Sequence, residues 1–223
     1  VELAKKHGTR LHIYHISTAE ETELFTKEPL HKKKITAEAC VHHLWFSAED
    51  YAKKGTLIKW NPAVKETTDR DAILAAVLDG RIDVIATDHA PHTLEEKMQV
   101  YTKAPSGGPL VQHALPAMME FVRNEKMDIT TLVTKMCHNP AIIFNIKDRG
   151  YIREGYYADL VILDPSRPWA VNKDNILYKC KWSPFEGVTF KSRVTHTLVN
   201  GNLVYDNGKI NDSKKGMRLE FAR

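Results

Sequence analysis

Ile85-Ala86-Thr87-Asp88-His89-Ala90-Pro91-His92, with Lys97 five residues on, is the stretch whose reading decides the fold. The largely apolar run from Ile82 to Ala86 has the length of one buried strand. It stops at a carboxylate, two histidines and a proline. In parallel α/β proteins the chemistry gathers where strands end at their carboxyl side. An Asp at that point serves as a metal ligand or a base, or it caps the next helix, as Asp commonly does. The neighbouring His89 and His92 favour the first reading.

Outward from this stretch the chain alternates between strand and helix signals. Leu11-His12-Ile13-Tyr14-His15-Ile16 alternates, is rich in β-formers and reads as a strand. Ser17 or Thr18 caps a helix that runs to about Phe25. Residues 35–40 read as a second strand, and residues 57–60 as a short extended piece ending at Asn61-Pro62. Residues 69–78 read as a helix with Ile73, Leu74, Val77 and Leu78 on its apolar face, stopped by Gly80. Strand, helix, strand, helix, strand predicts a parallel α/β architecture. Residues 94–108 read as a long loop after the decisive strand, placed to cover a substrate. Residues 110–124 and 130–138 read as helices, with Pro116 kinking or opening part of the first. Past Gly150 the chain turns to short β segments at 160–163, 194–199 and 203–205, and Asn200-Gly201 signals a hairpin turn. The expected division is 1–149 and 150–223.

Of the 223 residues, 43% are apolar and 27% charged, the balance of a soluble globular protein. No apolar run approaches the roughly 20 residues needed to span a membrane. Residues 1–6 carry no signal-peptide apolar region. Cys40, Cys137 and Cys180 are odd in number and widely spaced, which reads as reduced thiols in a cytoplasmic protein. A net charge of +4 is mild, and Lys32-Lys33-Lys34 reads as a solvated face. Neither nucleic acid nor membrane is expected as a partner. Nine of the 11 histidines fall between His7 and His113, so metal or acid–base chemistry belongs to the first part. The chain opens without Met inside a helix-like segment, 1–7, and reads as a piece of a longer protein.

Ala86-Thr87-Asp88-His89-Ala90-Pro91-His92-Thr93, followed by Lys97, resembles the second dihydroorotase motif of the amidohydrolase superfamily. Hydantoinases and allantoinases share the strand and the Asp-His pair but usually lack a His at the position of His92. His15-Ile16-Ser17-Thr18 resembles the family's sixth barrel strand, whose His binds metal; taken alone, a strand-end His reads as an ordinary core or surface residue. The separation of His15 from Asp88 leaves room for two βα units between strands 6 and 8. Period two puts His12 on the face opposite His15, so the two are not paired as ligands. Thr36-Ala37-Glu38-Ala39-Cys40-Val41-His42-His43-Leu44 resembles the strand-7 segment, with Cys40-Val41 where the family has Thr-Pro. The His pair lies outside the family's metal shell, which favours a structural role for His42 and His43. Asn61-Pro62 matches an Asn-Pro whose Asn helps hold the substrate ring, although Ala63-Val64-Lys65 replaces the family's Pro-Leu-Arg. The His matching His92 meets the carboxylate side of the substrate, and Gly107 matches a glycine whose backbone faces it. Gln112 stands where Glu is common. Ala158-Asp159-Leu160-Val161 and Val199-Asn200-Gly201-Asn202-Leu203-Val204 resemble the small β domain beside amidohydrolase barrels.

This resemblance implies the second half of a (β/α)8 TIM-type barrel with a small β-rich accessory domain. It implies a metal-dependent cyclic amidohydrolase of pyrimidine biosynthesis that interconverts N-carbamoyl-L-aspartate and L-dihydroorotate. One or two Zn2+ ions are implied, with His15 and Asp88 among the ligands. Metal lowers the pKa of bound water; Asp88 would accept that proton and pass it to the leaving nitrogen. The family's His-x-His pair, the Arg after it, its carboxylated bridging lysine and its strand-5 metal His would all precede this chain. A homo-oligomer is implied, with a transcarbamoylase as a candidate partner. Two other readings stay open: a hydantoinase-, allantoinase- or dihydropyrimidinase-type hydrolase, and a non-catalytic structural subunit of dihydroorotase type.

Overall fold

Three short parallel strands organise the first part of the chain in the computed structural model, which describes residues 1–222. They are β1 (Leu11–Ile13), β2 (Ile35–Cys40) and β3 (Val84–Ala86), side by side in the order β1-β2-β3. His12 lies opposite Thr36, and Ala39 opposite Ile85. Because all three run the same way, their carboxyl ends fall on one edge of the sheet. β2 is flanked on both sides, and Thr36 to Cys40 are buried throughout, as a central parallel strand requires.

The helices beside them are short and well capped. α1 (Glu2–His7) closes at Gly8 in the left-handed conformation. α2 (Ala19–Thr22) starts with a capping box between Thr18 and Glu21. α3 (Val41–Trp45) follows β2 directly, and α4 (Tyr51–Lys54) comes before a cis Asn61-Pro62 bond. α5 (Thr67–Leu78) makes the crossover from β2 to β3, opened by a capping box between Glu66 and Asp69. α6 (Leu94–Lys97) is a single turn capped by Thr93 and Glu96, and α7 (Ala114–Arg123) follows the loop.

Several expectations are corrected. β1 ends at Ile13, so the period-two argument does not reach His15. α2 stops at Thr22, well before Phe25; the Thr22 hydroxyl donates to Ala19 O at 2.6 Å and competes with the helical ladder. Residues 57–58 belong to a 3-10 turn, Gly55–Ile58, because Ile58 buries itself without needing a strand partner. On α5 the buried stripe is Ile73, Ala76 and Val77. These residues sit at i, i+3 and i+4, which leaves Leu78 on the flank at 45% exposure. Residues 94–108 hold one helical turn, α6, inside the expected loop.

The chain packs as two compact units. One comprises Val1–Ala117 with Asn172–Glu186, the other Met118–Val171 with the residues from Gly187 onward. In the second, α8 (Ile129–Val133) is capped by Asp128, whose carboxylate accepts from Thr131 N at 2.7 Å. A π-helical turn, Thr134–His138, leads into α9 (Asn139–Ile143). Pro140 near the start of α9 lacks an N–H, which widens the preceding turn. β4 (Leu160–Asp164), β5 (Trp169–Ala170), β6 (Thr189–Phe190), β7 (Arg193–Val199), β8 (Asn202–Asp206) and β9 (Lys209–Ile210) complete the chain. β4-β7-β8-β9 form an antiparallel sheet, and β5 pairs with β6. The β7–β8 turn is the one expected: Asn200 and Gly201 have φ of 51° and 77°. The composition change near Gly150 therefore marks a switch from helices to strands. Among the described residues no helix is long and apolar enough to cross a membrane.

The basic run at 32–34 is not uniformly solvated. Lys32 and Lys34 are exposed, but the Lys33 side chain is 1% exposed. Its Nζ donates to Asp83 Oδ1 at 2.7 Å and to the carbonyls of Gly80 and Arg81 at 2.5 and 3.3 Å. Asp83 Oδ2 accepts from Ala37 N at 3.1 Å, and Asp83 N donates to Ala37 O at 2.9 Å. The pair clamps the start of β3 to β2. Removing one partner strands the other charge in the interior. Lys33→Met is expected to lower stability by about 3–5 kcal/mol, read from the urea midpoint. The double substitution Lys33→Met/Asp83→Asn should recover part of that loss. An unchanged midpoint in Lys33→Met would remove the pair from this role.

Candidate functional site

His15 lies two residues past the end of β1, and Asp88 two residues past the end of β3. Both have left-handed backbones, with φ of 43° and 46°. This conformation is uncommon outside glycine, although Asp and His adopt it more readily than most, and it clusters at functional sites. Burial pushes the Asp88 carboxyl up from the usual carboxylate range; the His15 imidazole pulls it back, and the Glu38 carboxylate adds to the upward push. His15 and Asp88 therefore sit within electrostatic reach of each other. Ile16 N donates to Glu38 O at 2.9 Å, which holds the segment after His15 against β2.

Glu38 is a member of this site that sequence reasoning passed over. It is 7% exposed, and its Oε2 lies 3.3 Å from His12 Nε2. His12 Nδ1 in turn meets Thr36 Oγ1 at 2.8 Å. A carboxylate between Ala37 and Ala39 in a buried strand was the available signal, because such a charge needs a partner. His12 supplies it from β1.

Where β2 ends, Cys40, His42 and His43 come together, all buried, with one ligand atom from each within 4.8 Å of the others. His42 stacks on Trp60, with ring centroids 4.4 Å apart and planes at 12°. Burial drives its pKa well down, helped by His43 and His15, while the Thr87 backbone opposes weakly without making a hydrogen bond of good geometry. His43 Nε2 donates to Pro62 O at 3.0 Å, and burial lowers its pKa to about 4. The Cys40 thiol is pushed up by burial first, then by Glu38 and Asp88.

The loop after Asp88 is held from inside. Lys97 is fully buried, and its Nζ donates to the carbonyls of Lys59, Pro105 and Gly107 at 3.0, 2.9 and 2.8 Å. Gly107 N donates to Lys59 O at 2.9 Å. Gly107 has φ of 112°, and a Cβ there would lie 2.6 Å from Ala90 O, so only glycine fits. Both polar backbone groups of Gly107 are thus engaged within the loop. His92 is half-buried; its Nδ1 lies 3.8 Å from Glu96 Oε2, and its carbonyl accepts from Trp182 Nε1 at 2.8 Å. His89 Nδ1 accepts from Leu110 N and Val111 N at 3.0 and 3.2 Å, a loop-fixing role. Asn61 is exposed beside Pro62.

Two departures from the family pattern gain a physical account. Lys65 Nζ donates to Ser17 Oγ at 2.8 Å and braces the segment after His15. Gln112 donates from Nε2 to Asn175 O at 2.8 Å and accepts from Leu177 N at 2.9 Å. A Glu could not make the first of these bonds. A cleft of about 750 Å³ is lined by residues including Tyr51, Thr56, Lys65, Glu66, Asp69 and Tyr101. Neither His15 nor Asp88 lines it.

One imidazole and one carboxylate at the ends of two parallel strands form a donor set that suits zinc. As two ligands of a divalent metal they would leave the remaining positions to other donors.

A model described as the amidohydrolase family matches residues 1–204. A dihydroorotase of Endomicrobium trichonymphae is 40% identical over 198 residues, which is 87% of this chain and 46% of that protein. The dihydroorotase of Clostridioides difficile (strain 630) is 36% identical over 205 residues, 92% of this chain and 48% of that protein. Among solved structures, an L-hydantoinase (dihydropyrimidinase) from Arthrobacter aurescens superposes with a TM-score of 0.86 at 27% identity, covering 94% of this chain and 48% of that one. An inactive dihydroorotase-like domain of a Chaetomium thermophilum CAD-like multifunctional protein gives 0.70 at 21% identity, covering 94% and 55%, a likeness of fold alone. The chain spans about half the length of the curated relatives it matches.

His113 offers a test of how the site's surroundings respond to pH. It is fully buried, Nδ1 meets Tyr178 Oη at 3.0 Å and Ser183 Oγ at 3.2 Å, and burial lowers its pKa to about 4. Unfolded, it titrates near 6.5. Between those values the unfolded chain holds the extra proton, so stability falls as pH drops. The contribution is fully present above about pH 6.5 and declines toward pH 4, by about 3 kcal/mol in all. Urea midpoints from pH 7 to pH 4 should show this decline, and His113→Gln should flatten it. Equal slopes in the two proteins would rule out His113 as its source.

Proposed function

Because this chain belongs to the amidohydrolase family, we propose that it carries the closing strands and part of the catalytic site of an enzyme that interconverts N-carbamoyl-L-aspartate and L-dihydroorotate. Its parallel strands are part of a TIM-type α/β barrel. The observation that carries the reading is the placement of His15 and Asp88 just past the ends of parallel strands, both in left-handed conformations. The dihydroorotases at 36–40% identity support the choice of substrate.

In this reading His15 and Asp88 would hold the metal. When bound, a divalent metal supplies a water acidic enough to react near neutral pH. Asp88 takes the proton of the attacking water at a carboxylate oxygen and returns it to the ring nitrogen as the amide opens. Asn61 holds the ring, and His92 meets the substrate carboxylate as a donor that can carry charge. Gly107 contributes by lacking a side chain where the loop turns against Ala90. One or two Zn2+ ions, a bridging carboxylated lysine outside this chain, a homo-oligomer, a transcarbamoylase partner and a cytoplasmic setting belong to the same proposal. So does a division into a barrel segment, 1–149, and a β-rich accessory segment, 150–223. The four-stranded antiparallel sheet supports the second of these. The free state of Cys40, Cys137 and Cys180 is consistent with a reducing compartment.

The likeness to an L-hydantoinase keeps a second cyclic-amide reading in play. A panel of dihydroorotate, hydantoin, dihydrouracil and allantoin separates them, tested on a protein in which this chain is joined to the remaining metal ligands. Dihydroorotate is expected to be favoured by kcat/KM. A preference for hydantoin or dihydrouracil would move the assignment to that branch, and no turnover of any would favour a structural subunit. In the same protein Asp88→Asn is expected to fold, keep at least part of its metal and lose activity more than about a hundredfold. Turnover per bound metal equal to wild type would show that Asp88 is not the base.

A further inference from the structure

The cluster where β2 ends has features that its packing alone does not explain. Cys40 and His42 are 0% exposed and His43 is 2% exposed. Both ring nitrogens of His42 and Nδ1 of His43 are buried without a hydrogen bond of good geometry, the Thr87 backbone lying near the His42 ring. Leaving such groups buried and unsatisfied is costly. The bond from His43 Nε2 to Pro62 O fixes the ring's tautomer and leaves the Nδ1 lone pair facing inward. Metal-binding histidines are commonly oriented in this way, with the second nitrogen donating to a carbonyl. Cys40 Sγ lies 3.9 Å from Glu38 Oε1, so a buried carboxylate stands beside the thiol.

We propose that Cys40, His42 and His43 form a buried binding site for a thiophilic divalent cation of the Zn2+ type, separate from the pair His15 and Asp88. One thiolate and two neutral imidazoles are a donor set that selects zinc over magnesium or calcium. The three ligand atoms already lie within 4.8 Å of one another. A tetrahedral zinc site with bonds of about 2.0–2.3 Å brings its donors to roughly 3.5 Å, so small side-chain rotations close it. On binding, the Cys40 S–H bond breaks, the proton leaves to solvent and the sulfur lone pair forms the bond to the metal. The Glu38 carboxylate balances the remaining positive charge. The site would tie the end of β2 to α3 and, through His43 and Pro62, to the turn that carries Asn61. This inference does not rest on the proposed reaction.

Cobalt(II) is the probe, since a thiolate bound to it gives a near-ultraviolet charge-transfer band that histidine and carboxylate ligands do not. The protein carries Cys137→Ser and Cys180→Ser, which leaves Cys40 as its one thiol. The expected result is a band that saturates at one cobalt per chain and disappears when Zn2+ is added. It should persist in His15→Ala and in Asp88→Asn. It should vanish in Cys40→Ser, and His43→Gln should weaken cobalt binding at least tenfold. If Cys40→Ser fails to fold, His43→Gln, which keeps the thiol, gives the deciding measurement. Absence of the band overturns the proposal, as does cobalt binding unaltered by His43→Gln. A band lost in Asp88→Asn also overturns it, since Cys40 would then be a ligand of the strand-end site.

Discussion

The buried ion pair of Lys33 and Asp83 sets the constraint on which the site depends. It joins the approach to β2 and the start of β3, and Asp83 also exchanges hydrogen bonds with Ala37. With that end pinned, Glu38 must lie opposite Val84 and Cys40 opposite Ala86. A slip of one residue would turn every β2 side chain to the other face. Glu38 would then leave His12, and Cys40 would leave the neighbourhood of Asp88. The Lys33 and Asp83 charges are buried at the amino ends of the strands, and His15 and Asp88 stand past the carboxyl ends.

The carboxyl edge of the sheet joins two electrostatic environments. Around Asp88, burial and the Glu38 carboxylate raise its proton affinity and the His15 imidazole lowers it. Next to them His42 and His43 are held neutral by burial among Trp60 and Phe46. Lys97 extends the same logic to the loop, since one buried ammonium gathers the carbonyls of Lys59, Pro105 and Gly107. These groups form a rigid frame, and a frame of this kind places reactive atoms more accurately than a free loop does.

Much of the fold was legible in the residues. The alternation of strand and helix signals gave the parallel order, and Asn200-Gly201 gave the hairpin turn at the residues where it occurs. Asp88 was marked by the abrupt end of an apolar run. The length of α2 was not legible, because the Thr22 hydroxyl competes for a backbone carbonyl at its end. Glu38 was missed because its partner, His12, lies on a different strand. The burial of Lys33 was hidden by its neighbours Lys32 and Lys34, which do face solvent.

The sequence by itself determined which residue types stand at the strand ends, and so the family. Those are matters of local order along the chain: a strand, a carboxylate, a histidine and a proline in succession. The tertiary structure alone decided which side chains share a charge environment. The charge of His15 acts on Asp88, and His12 meets Glu38, only after the strands align. The physical reason is range. Backbone preference acts over a few residues, whereas burial and Coulomb interaction depend on distance in space, which parallel pairing sets between segments far apart in the chain.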